Sequence, residues 1–285
     1  MRSSASRSPN GSVVMPQRKV VGTSTALVIL GSIVLVSGCS KLTFVRQDTS
    51  RGDYEQVAHE VHIDPKNNAH DTAYTMTQVA QSRLMSGNAQ GAVDAAERAL
   101  KAEPDNIEAH SLLALGLDAL GRSRDAGPHH RRAAELAPDR GALLNNYGIW
   151  LCSNGQAAAS LDWFDRAAAA AGYETPDAAL ANGAACALQA GQGARAERYA
   201  RQAIAASPAN PLALQTLAHI EFNAGHGLEA RAFIERRLAA AAADPETLQL
   251  ASQIEQSLGD TAAAARYGQR LRTEFPPDSR PVGEK

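Results

Sequence analysis

Six glycines recur along the chain, Gly87, Gly121, Gly155, Gly191, Gly225 and Gly259, at spacings of 34, 34, 36, 34 and 34 residues. Prolines keep the same beat: Pro104 to Pro138 is 34 residues, while Pro138 to Pro208 and Pro208 to Pro276 are 70 and 68, two periods each. Two independent markers on one period mean that a single supersecondary unit is repeated. A unit of this length cannot bury its apolar face alone, so neighbours must stack to build a continuous core. The unit is helical. Aromatic residues are only 5% of the chain, alanine dominates its second half, and β-branched runs are nearly confined to the first 36 residues, which leaves little for a sheet.

Each repeated position has a physical reason. The first helix of a unit, helix A, carries a small residue at its eighth place: Ala80, Ala114, Gly148, Ala184, Ala218 and Ser252. The second, helix B, answers with Ala92, Ala126, Ser160, Ala196, Ala230 and Ala264, and then with Ala99, Ala133, Ala167 and Ala203 seven residues on. Small residues at these places let the two helices approach closely. Glycine ends helix A in the left-handed conformation, and proline stops helix B. This pattern resembles the tetratricopeptide repeat. The resemblance implies an all-α fold, a right-handed superhelical solenoid of six helix-turn-helix repeats over residues 73–279, with a tail at 280–285. Two units depart from the pattern. The third ends in Gly172-Tyr173-Glu174-Thr175-Pro176, two residues longer than its neighbours, which predicts a local change of superhelix. The fifth has Ala242 where proline is expected and Arg237 in place of the usual alanine, which predicts a longer or frayed helix.

The amino terminus is of another kind. Arg18 and Lys19 precede an apolar stretch from Val20 to Val36, followed by Leu35-Val36-Ser37-Gly38-Cys39. Small residues before a cysteine at the end of an apolar core resemble the bacterial lipoprotein signal. The stretch is also short of the roughly 20 residues that span a bilayer comfortably. Residues 1–38 therefore read as a signal peptide, with Met15 as an alternative start, and Cys39 as the acylated first residue of the mature chain. Ser40 after that cysteine, by resemblance to the Gram-negative sorting rule, implies a lipid anchor in the outer membrane, facing the periplasm. Residues 39–72 are the lipidated cysteine and a polar spacer, with a weak helix expected around Tyr54 to His62. Four of the 28 Lys and Arg precede Cys39, leaving 24 against 30 acidic residues in the exported part. That balance argues against nucleic acid as a partner.

In such a solenoid the helices A line the concave side. Their second, fifth, ninth, twelfth and thirteenth places point into the groove, a set that includes Leu84, Met85, Leu115, Asn145, Ile149, Leu188, His219, Phe222, Gln249, Gln253 and Gln256. An apolar strip thus runs into an amide-rich end, suited to an extended or helical segment of a partner protein.

No G-x-S-x-G, Walker loop, H-E-x-x-H or C-x-x-C occurs, so neither an enzyme, a metal site, a cofactor nor a small-molecule substrate is expected. Cys152 and Cys186 lie on helices A of adjacent repeats. An exported chain with an even pair suggests a disulfide, but neighbouring helix axes lie about 8–10 Å apart, whereas a bridge wants α-carbons within about 7 Å. A bridge and two small buried thiols both stay open. Arg122, Arg124, His129, His130, Arg131 and Arg132 form a basic cluster across the second turn and helix B, on the convex side. It reads as a solvated surface by default, with acidic lipid headgroups or an acidic partner as the sharper alternative.

A closer resemblance emerges over about residues 140–278. Asn145-Asn146-Tyr147-Gly148, Leu151-Cys152, Gly155, Phe164, Arg166-Ala167, Tyr173 and Pro176 are similar to the third repeat of the type IV pilus biogenesis and stability lipoproteins (PilF/PilW). Asn182-Gly183, Cys186-Ala187-Leu188, Gly259-Asp260, Ala264, Tyr267-Gly268, Leu271 and Phe275-Pro276 continue the likeness. It implies a pilotin: an outer-membrane lipoprotein with six repeats that helps the pilus secretin localise and assemble into multimers, or stabilises the pilus. Its partner would be a secretin subunit. The alternative is a general envelope scaffold of the same architecture, serving an outer-membrane assembly complex or a cell-wall enzyme.

Overall fold

A computed structural model describes residues 65–276. The signal peptide, Cys39, the weak helix expected at Tyr54 to His62 and the tail at 280–285 lie outside the described residues. Among those described there are twelve α-helices and no strand: α1 (Pro65–Met85), α2 (Ala89–Ala102), α3 (Ile107–Ala119), α4 (Ser123–Leu136), α5 (Gly141–Ser153), α6 (Ala157–Ala169), α7 (Pro176–Gln189), α8 (Gly193–Ala206), α9 (Pro211–Asn223), α10 (Gly227–Ala240), α11 (Pro245–Ser257) and α12 (Thr261–Glu274). Odd helices are the helices A and even ones the helices B of six repeats. None of them is long and apolar enough to cross a membrane.

The punctuation works as the sequence suggests. All six periodic glycines follow a helix A with φ between 72° and 81°, a conformation that costs a residue with a Cβ about 1–2 kcal/mol. Asn88, Asn106, Asn210, Asp244 and Asp260 cap the following helices by accepting a backbone N–H with their side chains. Ala80, Ala114, Ala184 and Ala218 from helices A, and Ala92, Ala126, Ser160, Ala196 and Ala230 from helices B, are fully buried. These are the sites of closest helix approach.

Volume is exchanged across the seams between repeats. Val93 on α2 meets Gly116 on α3, where a Cβ would lie 3.0 Å from the valine Cγ2. One period later the roles reverse. Gly127 on α4 faces Trp150 on α5, and a Cβ there would lie 2.1 Å from the indole ring. In the third repeat Leu161 holds the equivalent place on helix B and is again fully buried.

Three boundaries differ from the expectations or refine them. The first helix starts at Pro65, not near residue 73. Its first two turns are polar in sequence and leave no apolar rhythm to read, and Ala73 is fully buried. The two additional residues of the third repeat are taken up between α6 and α7, where Gly172 adopts φ 75° and Tyr173 packs against Gly141. The expected longer or frayed helix in the fifth repeat is corrected: α10 has 14 residues, as α8 does. Arg237 supplies the stop that proline gives elsewhere. Its guanidinium donates to the carbonyls of Ala241 and Ala242 at 3.2 and 3.0 Å and pairs with Asp244 at 2.6 Å. Those carbonyls lie just past the end of α10, so they are held by the side chain and no further turn forms.

Candidate functional site

The helices A carry two depressions. The first, of about 210 Å³, is lined by Leu115 and Asp118 of α3, Ser123 and His130 of α4, and Asn146, Ile149 and Trp150 of α5, among others. Ile149 is 38% exposed and supplies an apolar edge. The wall is rigid, because Trp150 Nε1 donates to the carbonyl of Ser123 at 2.7 Å and Asn154 donates to the Ser123 hydroxyl at 3.0 Å. Deeper in, the buried His130 pairs with Asp118 at 2.7 Å.

The second depression, of about 320 Å³, is lined only by helices A: Leu188 and Gln189 of α7, Leu212, Gln215, Thr216 and His219 of α9, and Glu246 of α11. His219 Nε2 is buried and makes no hydrogen bond, and the Glu246 carboxylate stands 3.4 Å from it. Gln215 Oε1 accepts from the Thr247 hydroxyl at 2.9 Å and from Arg237 Nε at 3.3 Å. An apolar floor with an imidazole, two amides and a carboxylate can seat an apolar side chain and bond a peptide backbone beside it. Among the described residues no group of three or more His, Cys, Asp and Glu could hold a metal ion.

The predicted groove residues divide accordingly. Leu115 and Ile149 meet in the first depression, and Leu188 and His219 in the second. Asn145 is buried and accepts a hydrogen bond from Asn182 at 3.0 Å, so it joins α5 to α7. Phe222 packs half-buried against the core cluster of Ala218, Ala230 and Ile234. Leu84 and the 80% exposed Met85 stand apart at the end of α1, while Gln249, Gln253 and Gln256 are exposed along α11 outside both depressions. Leu212, Gln215, Gln189 and Glu246 were not among the expected residues. They occupy the second, fifth, thirteenth and second places of their helices, so the same positional rule points to them.

Cys152 and Cys186 form a disulfide between α5 and α7, with α-carbons 5.9 Å apart. Both are buried. Helix axes at 8–10 Å do not preclude this, because α-carbons lie about 2.3 Å off the axis and facing ones approach more closely than the axes do. Beside the bridge, Phe164 and Tyr199 fill the space left by Gly148 and Gly183. The Tyr199 hydroxyl donates to Asp165 at 2.5 Å, and burial, with that bond, pushes its pKa up to about 12.

A family model for the tetratricopeptide repeat matches residues 187–254. The crystal structure of PilW, described as a widely conserved type IV pilus biogenesis factor, is similar at 30% identity and a TM-score of 0.66, covering 73% of this chain and 95% of that one. PilF of Pseudomonas aeruginosa is similar in fold at 20% identity and a TM-score of 0.64, over 74% and 95% of the two chains. A tetratricopeptide protein from Parabacteroides merdae shares the architecture at 17% identity and a TM-score of 0.57, over 76% and 82%. No curated protein matches the sequence.

Proposed function

Because the chain belongs to the PilW family of tetratricopeptide type IV pilus biogenesis factors, we propose that it is a pilotin, a lipid-anchored scaffold that promotes secretin localisation and multimer assembly. The observation that carries this reading is the 30% identity to PilW across 95% of that chain, at a TM-score of 0.66. The concave face supports binding: two depressions on helices A combine apolar floors with amides fixed by hydrogen bonds, an arrangement that can seat an extended segment of a partner protein, in this proposal a secretin subunit. In this proposal the scaffold works by binding its partners. In this proposal Cys39 is acylated, and the lipid anchors hold the body at the periplasmic face of the outer membrane. Dual or triple acylation is far more firmly retained than a single chain.

Deletion in the native bacterium, followed by a blot of outer-membrane fractions for secretin multimers, tests the proposal. Loss of multimers and of twitching motility, restored by the wild-type gene and not by Cys39→Ala, is the expected result. Unchanged multimers and motility would remove the secretin from the proposal and leave an envelope scaffold with another partner. Introducing two negative charges into the second depression, Gln215→Glu with Leu212→Glu, should reproduce the deletion while leaving the protein in the membrane fraction.

A further inference from the structure

The convex side carries a cleft that the concave groove does not account for. It opens where α4 meets α5, about 490 Å³ in volume, with Tyr147 and Trp150 as its floor and Arg124, Arg131 and Arg132 around it. Its origin is the exchange of volume at this seam: Gly127 stands where Val93 and Leu161 fill the neighbouring repeats, and the indole of Trp150 lies against it. Tyr147 stacks on Trp150 with centroids 6.0 Å apart and meets Trp163 edge-on at 4.7 Å, and Arg166 lies 4.4 Å above Trp163. The aromatic floor thus has a cation at its far side as well.

The rim is positive on balance. Arg132 is engaged by Asp105 and Arg131 by Glu135, but both pairs are exposed, and such pairs are worth about 0–1 kcal/mol, so a ligand carboxylate can exchange with them at little cost. Among the described residues Arg124 has no carboxylate partner. The floor suits a flat or branched apolar side chain, and the rim suits carboxylates on either side of it. A bilayer fits poorly. Among the described residues the exposed large apolar side chains, Tyr74, Met85, Leu120, Ile149, Leu212 and Leu228, all lie outside the cleft, so none of them is placed there to insert among acyl chains.

We propose that this cleft is a second docking site, for an acidic peptide segment of a partner protein whose Asp or Glu side chains pair with Arg124 and Arg131 while an adjacent apolar side chain lies on Trp150. The chain then holds one protein in its concave groove and another on its convex side. The proposal does not depend on the identity of the groove's occupant.

The chain has two tryptophans, and both belong to this aromatic cluster, so indole emission reports on it; because Trp150 also lines the first depression, the arginine substitutions below assign the response to this cleft. The full chain is titrated at low salt with the peptide acetyl-Glu-Glu-Phe-Glu-Glu-amide, with acetyl-Gln-Gln-Phe-Gln-Gln-amide as the neutral control. The acidic peptide should give a saturable change in emission, and Arg124→Glu with Arg131→Glu should weaken it by about tenfold or more, as two lost exposed ion pairs imply. An unchanged thermal transition certifies that the variant is folded. No response, an equal response to the neutral peptide, or indifference to the two substitutions would overturn the proposal. So would arginine-dependent binding to phosphatidylglycerol vesicles without peptide binding, which would make the cleft a membrane contact.

Discussion

The repeat departs from its pattern in two places, once in length and once by a missing proline, and the two junctions are fastened in different ways. Between the third and fourth repeats two additional residues lengthen the connection, and the seam is closed by the Cys152–Cys186 bridge over a core of Phe164 and Tyr199. Between the fifth and sixth repeats the usual proline is missing, and Arg237 draws Ala241, Ala242, Asp244 and Gln215 around one buried guanidinium. A regular repeat meets its neighbour chiefly through small residues and the side chains that fill the space beside them. At these two junctions a side-chain device is added, covalent and apolar in one case and polar in the other. Since each repeat rests only on its neighbours, each device sets the stability of its own stretch of the solenoid. The two should therefore respond to different insults.

The largest effect should come from opening the bridge. The disulfide joins residues 34 apart, and on the chain-entropy account its loss costs about 4 kcal/mol. Urea unfolding of Cys186→Ser should show that loss, and wild type in reductant should coincide with the variant. A transition coincident with that of the oxidised wild type would mean that Phe164 and Tyr199 hold this junction without the bridge.

Next in size is Arg237→Ala. Asp244 and two carbonyls would lose their donor at a site where the arginine is 6% exposed, at a cost of about 3 kcal/mol. Hydrogen exchange should locate the damage at α10 and α11 and spare α5 to α8. Damage spread evenly over the solenoid would show that the junctions are not independent.

How much of this could be read in advance depends on what each feature requires. The period, the turn glycines and the small residues at helix crossings follow from backbone geometry, and they were legible because sequence position fixes them. The start of α1 at Pro65 was not, since Asn68, Asp71 and Thr72 carry no apolar rhythm. Nor was the end of α10, because a lone arginine does not announce whether it caps a helix or faces solvent. Ala242 pointed to an unusual site without revealing its remedy. In the groove, the positional rule selected the right face but not the fate of each side chain. Phe222 turns toward the core and Asn145 bonds Asn182, since a partly concave position can satisfy itself against a neighbouring helix.

A smaller effect should separate packing from hydrogen bonding at the first junction. Tyr199→Phe keeps the ring beside Phe164 and removes only the hydroxyl that donates to Asp165, an exchange worth about 1 kcal/mol. Asp165 retains Arg195 at 2.6 Å, which limits the damage. Thermal unfolding under oxidising conditions measures it. A loss several times larger would place the polar bond, not the ring, at the centre of this junction.

The smallest expected effect is acid sensitivity at the second junction. Burial acts to raise the pKa of Asp244, but hydrogen bonds from Thr247 and the charge of Arg237 outweigh it, so the carboxyl lies below its ordinary value of 3.8. A carboxylate depressed in the folded state binds its proton more weakly than in the unfolded chain. Its stabilising contribution is therefore present above about pH 4 and is lost as the pH falls through the lower folded value. Asp244 is also 43% exposed, so solvent and salt screen part of the effect. Hydrogen exchange compared at neutral pH and near pH 3 should show α10 and α11 loosening relative to α5 and α7, whose disulfide carries no titrating group. In Asp244→Asn the difference between the two regions should shrink, because the amide keeps its size and loses the charge that acid would remove. Equal loosening of both regions in wild type would assign the acid response to the other carboxylates of the solenoid and not to this cap.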